Sequence, residues 1–202
     1  METKIPFLEV SDAIVMSGAE TLYWCMQCGL CTGTCPWRLV PGEASEEFNV
    51  RLVQRMGQLG LEGFESENCL FACTTCRACV DRCPRGVDII GNIRGMRAML
   101  AEVGTIPPSL KPIAGSLHSQ GNPWSGPREK RTEWMEGLDV PTFSADTEYL
   151  LFVCCTSCYD IRSRKIAKAV VKSLKAAGIS FGVIGAEESC CGESIRKIGD
   201  EA

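Results

Sequence analysis

The chain has 202 residues, a formal net charge of −4, 45% hydrophobic and 23% charged residues, a balance that fits one or two globular domains and excludes a disordered or low-complexity protein. Mild acidity excludes the basic footprint of a nucleic-acid binder, and no apolar run reaches the roughly 20 residues of a membrane span. The start, Met1-Glu2-Thr3-Lys4-Ile5-Pro6, lacks the apolar stretch of a secretory signal, so a cytoplasmic protein is expected.

In chain order, a short helix is expected between Pro6 and Met16. Next come Cys25-x2-Cys28-x2-Cys31-x3-Cys35-Pro36 and, after an intervening helix, the same pattern as Cys73-x2-Cys76-x2-Cys79-x3-Cys83-Pro84. For that intervening helix, Ser45 suits the N-cap, Glu46 and Glu47 the first turn and Gly60 the stop, with Phe48, Leu52, Met56 and Leu59 on one buried face. A further helix should open at Asp88, carry Ile89, Ile93, Met96, Leu100 and Val103 as its apolar stripe and stop at Gly104.

From 105 to 147 the periodicity vanishes among six prolines, which reads as a connector pinned to its own domains by Trp124 and Trp134. Tyr149 to Val153 is a buried-strand run. Ile161 to Ala177 is an amphipathic helix presenting Ile166, Val170, Leu174 and Ala177, closed by Gly178, and Ile179 to Ile184 is a second strand. Strand, helix and strand at this spacing imply a parallel βαβ unit with a right-handed crossover.

Fourteen cysteines in a reducing compartment point to metal or redox chemistry rather than to a disulfide scaffold. In the paired motif, three sulfurs from one tight loop reach one [4Fe–4S] cluster, while the fourth, before Pro, reaches the other. Crossed ligation follows: Cys25, Cys28, Cys31 and Cys83 on one cluster, Cys73, Cys76, Cys79 and Cys35 on the second. Zinc is disfavoured, because it needs only four ligands in two separated pairs. Tyr23, Trp24 and Trp37 are expected to shield the first cluster. Cys69 reads as a small buried hydrophobe.

Cys154, Cys155 and Cys158 follow the first strand, and Cys190 and Cys191 the second, so all five fall at the carboxyl edge where open α/β sheets bind ligands. The helix after the first strand should aim its N-terminal amides there and favour thiolates. These residues suit a metal site or a reactive dithiol. His118 reads as a surface or packing residue, and Lys165, Lys168, Lys172 and Lys175 as a solvated face. No phosphate-cradling loop is present, so no flavin or nucleotide is expected on this chain.

Cys28-Gly29-Leu30-Cys31-Thr32-Gly33-Thr34-Cys35-Pro36, Cys73-Thr74-Thr75-Cys76 and Cys83-Pro84-Arg85-Gly86-Val87, with Cys190-Cys191-Gly192 downstream, resemble the iron–sulfur subunits of heterodisulfide reductase. The likeness is greatest to the fused, D-type form, in which a C-type two-cluster ferredoxin part precedes a Cys-Cys-Gly (CCG) cysteine-rich domain. Similar subunits carry electrons in anaerobic glycerol-3-phosphate dehydrogenase and glycolate oxidase. The resemblance implies an α-helical ferredoxin domain binding two [4Fe–4S] clusters over residues 1–104, a linker over 105–147 and a partial α/β (βαβ) CCG domain over 148–202. The family's closing Cys-x-x-Cys and second CCG copy are absent, so the CCG domain is expected to be incomplete, with Cys155, Cys158, Cys190 and Cys191 as a candidate further metal site. The function implied is electron relay in an anaerobic oxidoreductase complex, with a flavoprotein among its partners and any membrane association supplied by them. The alternatives are a catalytic subunit reducing a heterodisulfide and, from a different class, a zinc-stabilised interaction module.

Overall fold

The computed structural model describes residues 5–40 and 48–200. The chain divides into two compact units, Met1–Leu110 with Ser194–Ala202, and Lys111–Glu193. Among the described residues the first holds helices and no strand: α1 (Leu8–Met16), α2 (Leu30–Thr34), α3 (Val50–Leu59), α4 (Ala78–Asp81) and α5 (Ile89–Glu102). The second holds α6 (Lys111–Gln120), a 3-10 run over Arg128–Met135, β1 (Tyr149–Leu150), α7 (Cys154–Tyr159), α8 (Ile161–Ala176) and β2 (Phe181–Gly182). A last helix, α9 (Glu193–Ile198), joins the first unit from Ser194 onward.

In the first unit α1, α3 and α5 pack on one another. Their shared core holds Ile14, Leu22, Val53, Met56, Ile93 and Met96, each worth about 1.5–3 kcal/mol when withdrawn from water. Glycines permit the close approach. A Cβ on Gly95 would stand 2.8 Å from the backbone nitrogen of Ala19, and one on Gly57 would run into Met96.

The expected cap at Ser45, with Glu46 and Glu47, lies outside the described residues. Helix α3 is capped instead by Asn49, whose Oδ1 accepts from the Leu52 N–H at 3.1 Å and from the Thr32 hydroxyl at 2.9 Å. Its buried face is Val50, Val53, Gln54, Met56 and Gly57, while Leu52 is exposed. The face is rotated from the expected stripe because Gln54 is drawn inside by the Asn92 amide at 2.8 Å. Gly60, at φ +58°, closes the helix: its N–H donates to Gly57 and that of Leu61 to Met56. This doubled return is the left-handed helix stop that glycine favours. Helix α5 opens on Asp88 as expected, its Oδ1 accepting from Gly91 N–H at 3.1 Å. Val103, expected on the stripe, is exposed beyond the last turn.

Within 105–147, which reads as a connector, the chain forms α6 and the 3-10 run. Asn122, wholly buried, organises the loop between them by accepting from the Trp124 and Gly126 amides and donating to the Gln120 and Gly126 carbonyls. Trp134 is buried in the core of the second unit with Val153, Ala167, Val171, Phe181 and Val183, whereas Trp124 is exposed.

Strands β1 and β2 pair in parallel, Tyr149 with Phe181 and Leu150 with Gly182. They are shorter than the two apolar runs suggest, and Tyr149 and Leu150 are exposed rather than buried. Among the described residues β1 has one neighbour, so only one of its edges is satisfied. On α8 the buried positions are Ala167 and Val171, one residue on from the expected Ile166 and Val170, which are exposed. Trp134 packs in the same core as this face, and Ala167, smaller than Ile166, fits beneath it.

Candidate metal centres

Each motif opens on a turn whose leucine is fully buried, Leu22 before Cys25 and Leu70 before Cys73. Each loop then carries left-handed residues at matching places: Gln27 (φ +60°) and Gly29 (+85°) in the first, Thr75 (+58°) and Arg77 (+68°) in the second. Three of the four are not glycine, and one is β-branched, an arrangement that stores strain where a binding loop is shaped. The loops also point donors at sulfur. Gln27 Nε2 donates to Cys25 Sγ and the Thr75 N–H to Cys73 Sγ, each at 3.4 Å.

The loops surround two cavities. One is lined by Cys25, Cys28, Cys31 and Cys83, with Arg51 and Arg85 at its rim. The other is lined by Cys35, Cys73, Cys76 and Cys79 among Trp37, Phe48, Val50, Ile90 and Ile93. The eight motif cysteines thus divide four and four, and each cavity takes its last cysteine from the other motif.

Burial pushes the Cys31, Cys35 and Cys73 thiols up, and the Cys79 thiol to about 12. Cys79 also feels Cys73 and then Cys31 of the neighbouring set, so the two sets come close at Cys31 and Cys79. Four free thiols around a small cavity are the donor set that thiophilic iron takes up, the cation supplying the charge compensation that burial otherwise withholds.

Trp37 lines the second cavity, its indole N–H donating to the Ala72 carbonyl at 2.6 Å. The expectation that it shields the first cluster is therefore corrected, and Tyr23 and Trp24 are half-exposed and line neither cavity. Cys69 packs on the core of the first unit away from both.

Two residues behind the loops carry no motif in the sequence. Gln58 Nε2 donates to the carbonyls of Leu22 (3.0 Å) and Cys25 (2.9 Å). Arg97 donates to the equivalent carbonyls of Leu70 (2.8 Å) and Cys73 (2.7 Å), and to Lys197 at 2.6 Å. A polar residue on an otherwise apolar helix face is the only clue either leaves.

In the second unit Cys155 and Cys158 are buried, Cys154 and Cys190 part-exposed and Cys191 exposed. Burial pushes Cys158 to about 12, and Cys190 to about 11 with Cys155 beside it. Between them lies a buried ion pair, Arg131 with Glu188 at 2.6 Å. Arg131 also donates to Cys155 Sγ at 3.5 Å and to the Ser189 carbonyl at 3.1 Å. Burial works against the Arg131 charge, but Glu188 and then Cys155 outweigh it, and the guanidinium titrates above its usual range. Glu188 takes the N–H groups of Val153 and Cys154. The amides expected to face thiolates at this helix start therefore serve a carboxylate, which when buried needs donors of its own. Cys154 sits in the left-handed region at φ +67°. His118 is exposed on α6.

The family described as 4Fe-4S dicluster domain matches residues 20–87, and the cofactors of the chain are two [4Fe–4S] clusters. The EtfAB:quinone oxidoreductase of Syntrophomonas wolfei is 32% identical over 165 residues, which are 78% of this chain and 23% of that protein. The C-type subunit of the H(2):CoB-CoM heterodisulfide,ferredoxin reductase of Methanothermobacter thermautotrophicus is 34% identical over 116 residues, 56% of this chain and 60% of that protein. The D-type subunit of the dihydromethanophenazine:CoB--CoM heterodisulfide reductase of Methanosarcina mazei is 26% identical over 220 residues, 98% of this chain and 52% of that protein. The chain therefore spans about a quarter of the first of these relatives and about half of the last.

Proposed function

We propose that the chain, similar to C-type and D-type heterodisulfide reductase subunits, is the electron-relay part of a multi-subunit anaerobic oxidoreductase. In this reading Cys25, Cys28, Cys31 and Cys83 hold one [4Fe–4S] cluster, and Cys73, Cys76, Cys79 and Cys35 hold the other, within a ferredoxin part that spans residues 1–104. The observation that carries it is the four-and-four division of the motif cysteines between two cavities that approach at Cys31 and Cys79. Bound clusters supply one-electron carriers. The residues around them do the rest: the left-handed loops fix the thiols, and Trp37, Phe48, Ile90 and Ile93 keep water from the second set. Flavoprotein-type subunits are the donors this reading calls for. Among the described residues no helix is long and apolar enough to cross a membrane, and we place the chain on the cytoplasmic side, reaching any membrane through its partners.

The second unit is proposed as part of a CCG domain, with Cys155, Cys158, Cys190 and Cys191 as its candidate ligands and the parallel β1–β2 pair as its sheet.

Iron and labile sulfide analysis with EPR of the anaerobically purified chain tests the reading. Two [4Fe–4S] signals are expected. Cys35→Ser should alter the same signal as Cys76→Ser, and Cys83→Ser the same one as Cys28→Ser. A colourless zinc protein, or Cys35→Ser altering the Cys28 signal instead, overturns it.

A further inference from the structure

The two loops share a backbone design, yet the side chain that fastens each differs in charge. Gln58 and Arg97 donate to the same pair of carbonyls in each repeat, the first motif cysteine and the leucine three residues before it. Gln58 is a neutral amide whose Oε1 accepts from Gln27 Nε2 at 3.2 Å. Arg97 is a cation only 3% exposed, and among the described residues no carboxylate pairs with it. Its other neighbours include the Lys197 carbonyl, the Phe71 ring, whose centroid lies 5.1 Å away, and the like charge of Arg94.

Holding an arginine charge at this depth is expensive, and at the other loop a neutral glutamine does the fastening, the nearest cation being exposed Arg55 at 3.5 Å from its Oε1. The surroundings give the charge a task. Apolar side chains wall both cavities, Met26, Leu30, Val87 and Ile89 at the first and Trp37, Phe48, Val50, Ile90 and Ile93 at the second, but the only arginines lining the first, Arg51 and Arg85, are exposed. An apolar wall disfavours the more negative, reduced state of whatever it encloses, and a buried cation favours it. Exposed arginines act through water and count for less than one at 3% exposure.

We propose that Arg97 sets the reduction potential of the centre held by Cys35, Cys73, Cys76 and Cys79, raising it against the pull of its apolar cavity, while Gln58 supplies only the structural half of that task at the other centre. Arg97 is a positioning residue with a charge, acting through the Cys73 backbone. The effect keeps the two centres close enough in potential to pass electrons, and it rests on the relay reading and crossed ligand sets above.

The test is an EPR-monitored redox titration of the full chain with both clusters in place, Cys76→Ser identifying the second centre's signal. Arg97→Gln, which installs the first loop's own fastener, should lower that centre's midpoint by at least a tenfold change in its reduced-to-oxidised ratio, about 59 mV for one electron. The other midpoint should stay in place, and Arg97→Lys should hold the second near its original value. Gln58→Lys should raise the midpoint of the first centre alone, and it decides the matter should Arg97→Gln fail to retain both clusters. The proposal is overturned if Arg97→Gln moves neither midpoint or both alike, or if Gln58→Lys leaves the first unmoved. Loss of the two-cluster signature in the unmodified chain would instead overturn the underlying relay reading.

Discussion

Arg131 and Glu188 meet at 2.6 Å with side chains 2% and 3% exposed, and Glu188 also receives the amides of Val153 and Cys154. Removing one partner leaves a buried charge unmatched, a loss of about 3–5 kcal/mol. Arg131→Met and Glu188→Gln should each destabilise the chain by about that amount. In urea unfolding of the single and double variants, the double should fall short of the sum by about 1–3 kcal/mol. Strict additivity would mean that the pair does not act as one.

Arg77 holds a left-handed backbone at φ +68° where the first loop has Gly29 at +85°. Arg77→Gly should stabilise the chain by about 0.5–1 kcal/mol, the left-handed penalty exceeding glycine's extra entropy. Gly29→Ala should lose about 1 kcal/mol. In a chain of this size each would shift the thermal midpoint by roughly 2–4 °C, so calorimetry resolves both signs.

Gly60 and Gly86 separate conformation from space. Both are left-handed, at φ +58° and +64°, but a Cβ on Gly60 would run into the Phe7 carbonyl, while one on Gly86 meets nothing within 4 Å. Gly86→Ala should cost about 1 kcal/mol. Gly60→Ala should cost about 1–3 kcal/mol more, the range of an overpacked site. Equal losses in thermal unfolding would show that the stop at Gly60 gives way freely.

Asp160 caps α8, accepting the Ser163 N–H at 2.7 Å. The Ser163 hydroxyl, then its amide, hold the carboxyl below its ordinary range. A depressed folded value means that this contribution is present above the unfolded value of about 3.9 and is lost as pH falls through the folded one. Asp160→Asn should therefore be the less stable variant at pH 7, with the gap to the unmodified chain narrowing on acidification. Thermal midpoints of both chains from neutral pH down to about pH 2 read this out, and a gap that stays constant below about pH 4 would exclude the linkage.

The four-and-four grouping of the motif cysteines was legible, because their spacing is written directly into the chain, and so were the Asp88 cap and the Gly60 stop, whose chemistry is local. The faces of α3 and α8 were not. Ile166 and Ala167 are both apolar, as are Val170 and Val171, so periodicity alone leaves two registers open. Trp134, from a segment that shows no period, selects the one with the small side chain inward. Gln58, Arg97, Arg131 and Glu188 escaped notice for a related reason. Buried charges and amides look like surface residues until their partners, 24 to 100 residues away, are folded against them.

The covalent path gives the final helix a consequence for proteolysis. The second unit is an insertion: the chain leaves the first unit after Leu110 and rejoins it at Ser194. Arg97 is bonded to the Lys197 carbonyl, and a Cβ on Gly199 would press on the Arg97 backbone. A protease that nicks one crossing should therefore leave two fragments that still travel together on a sizing column.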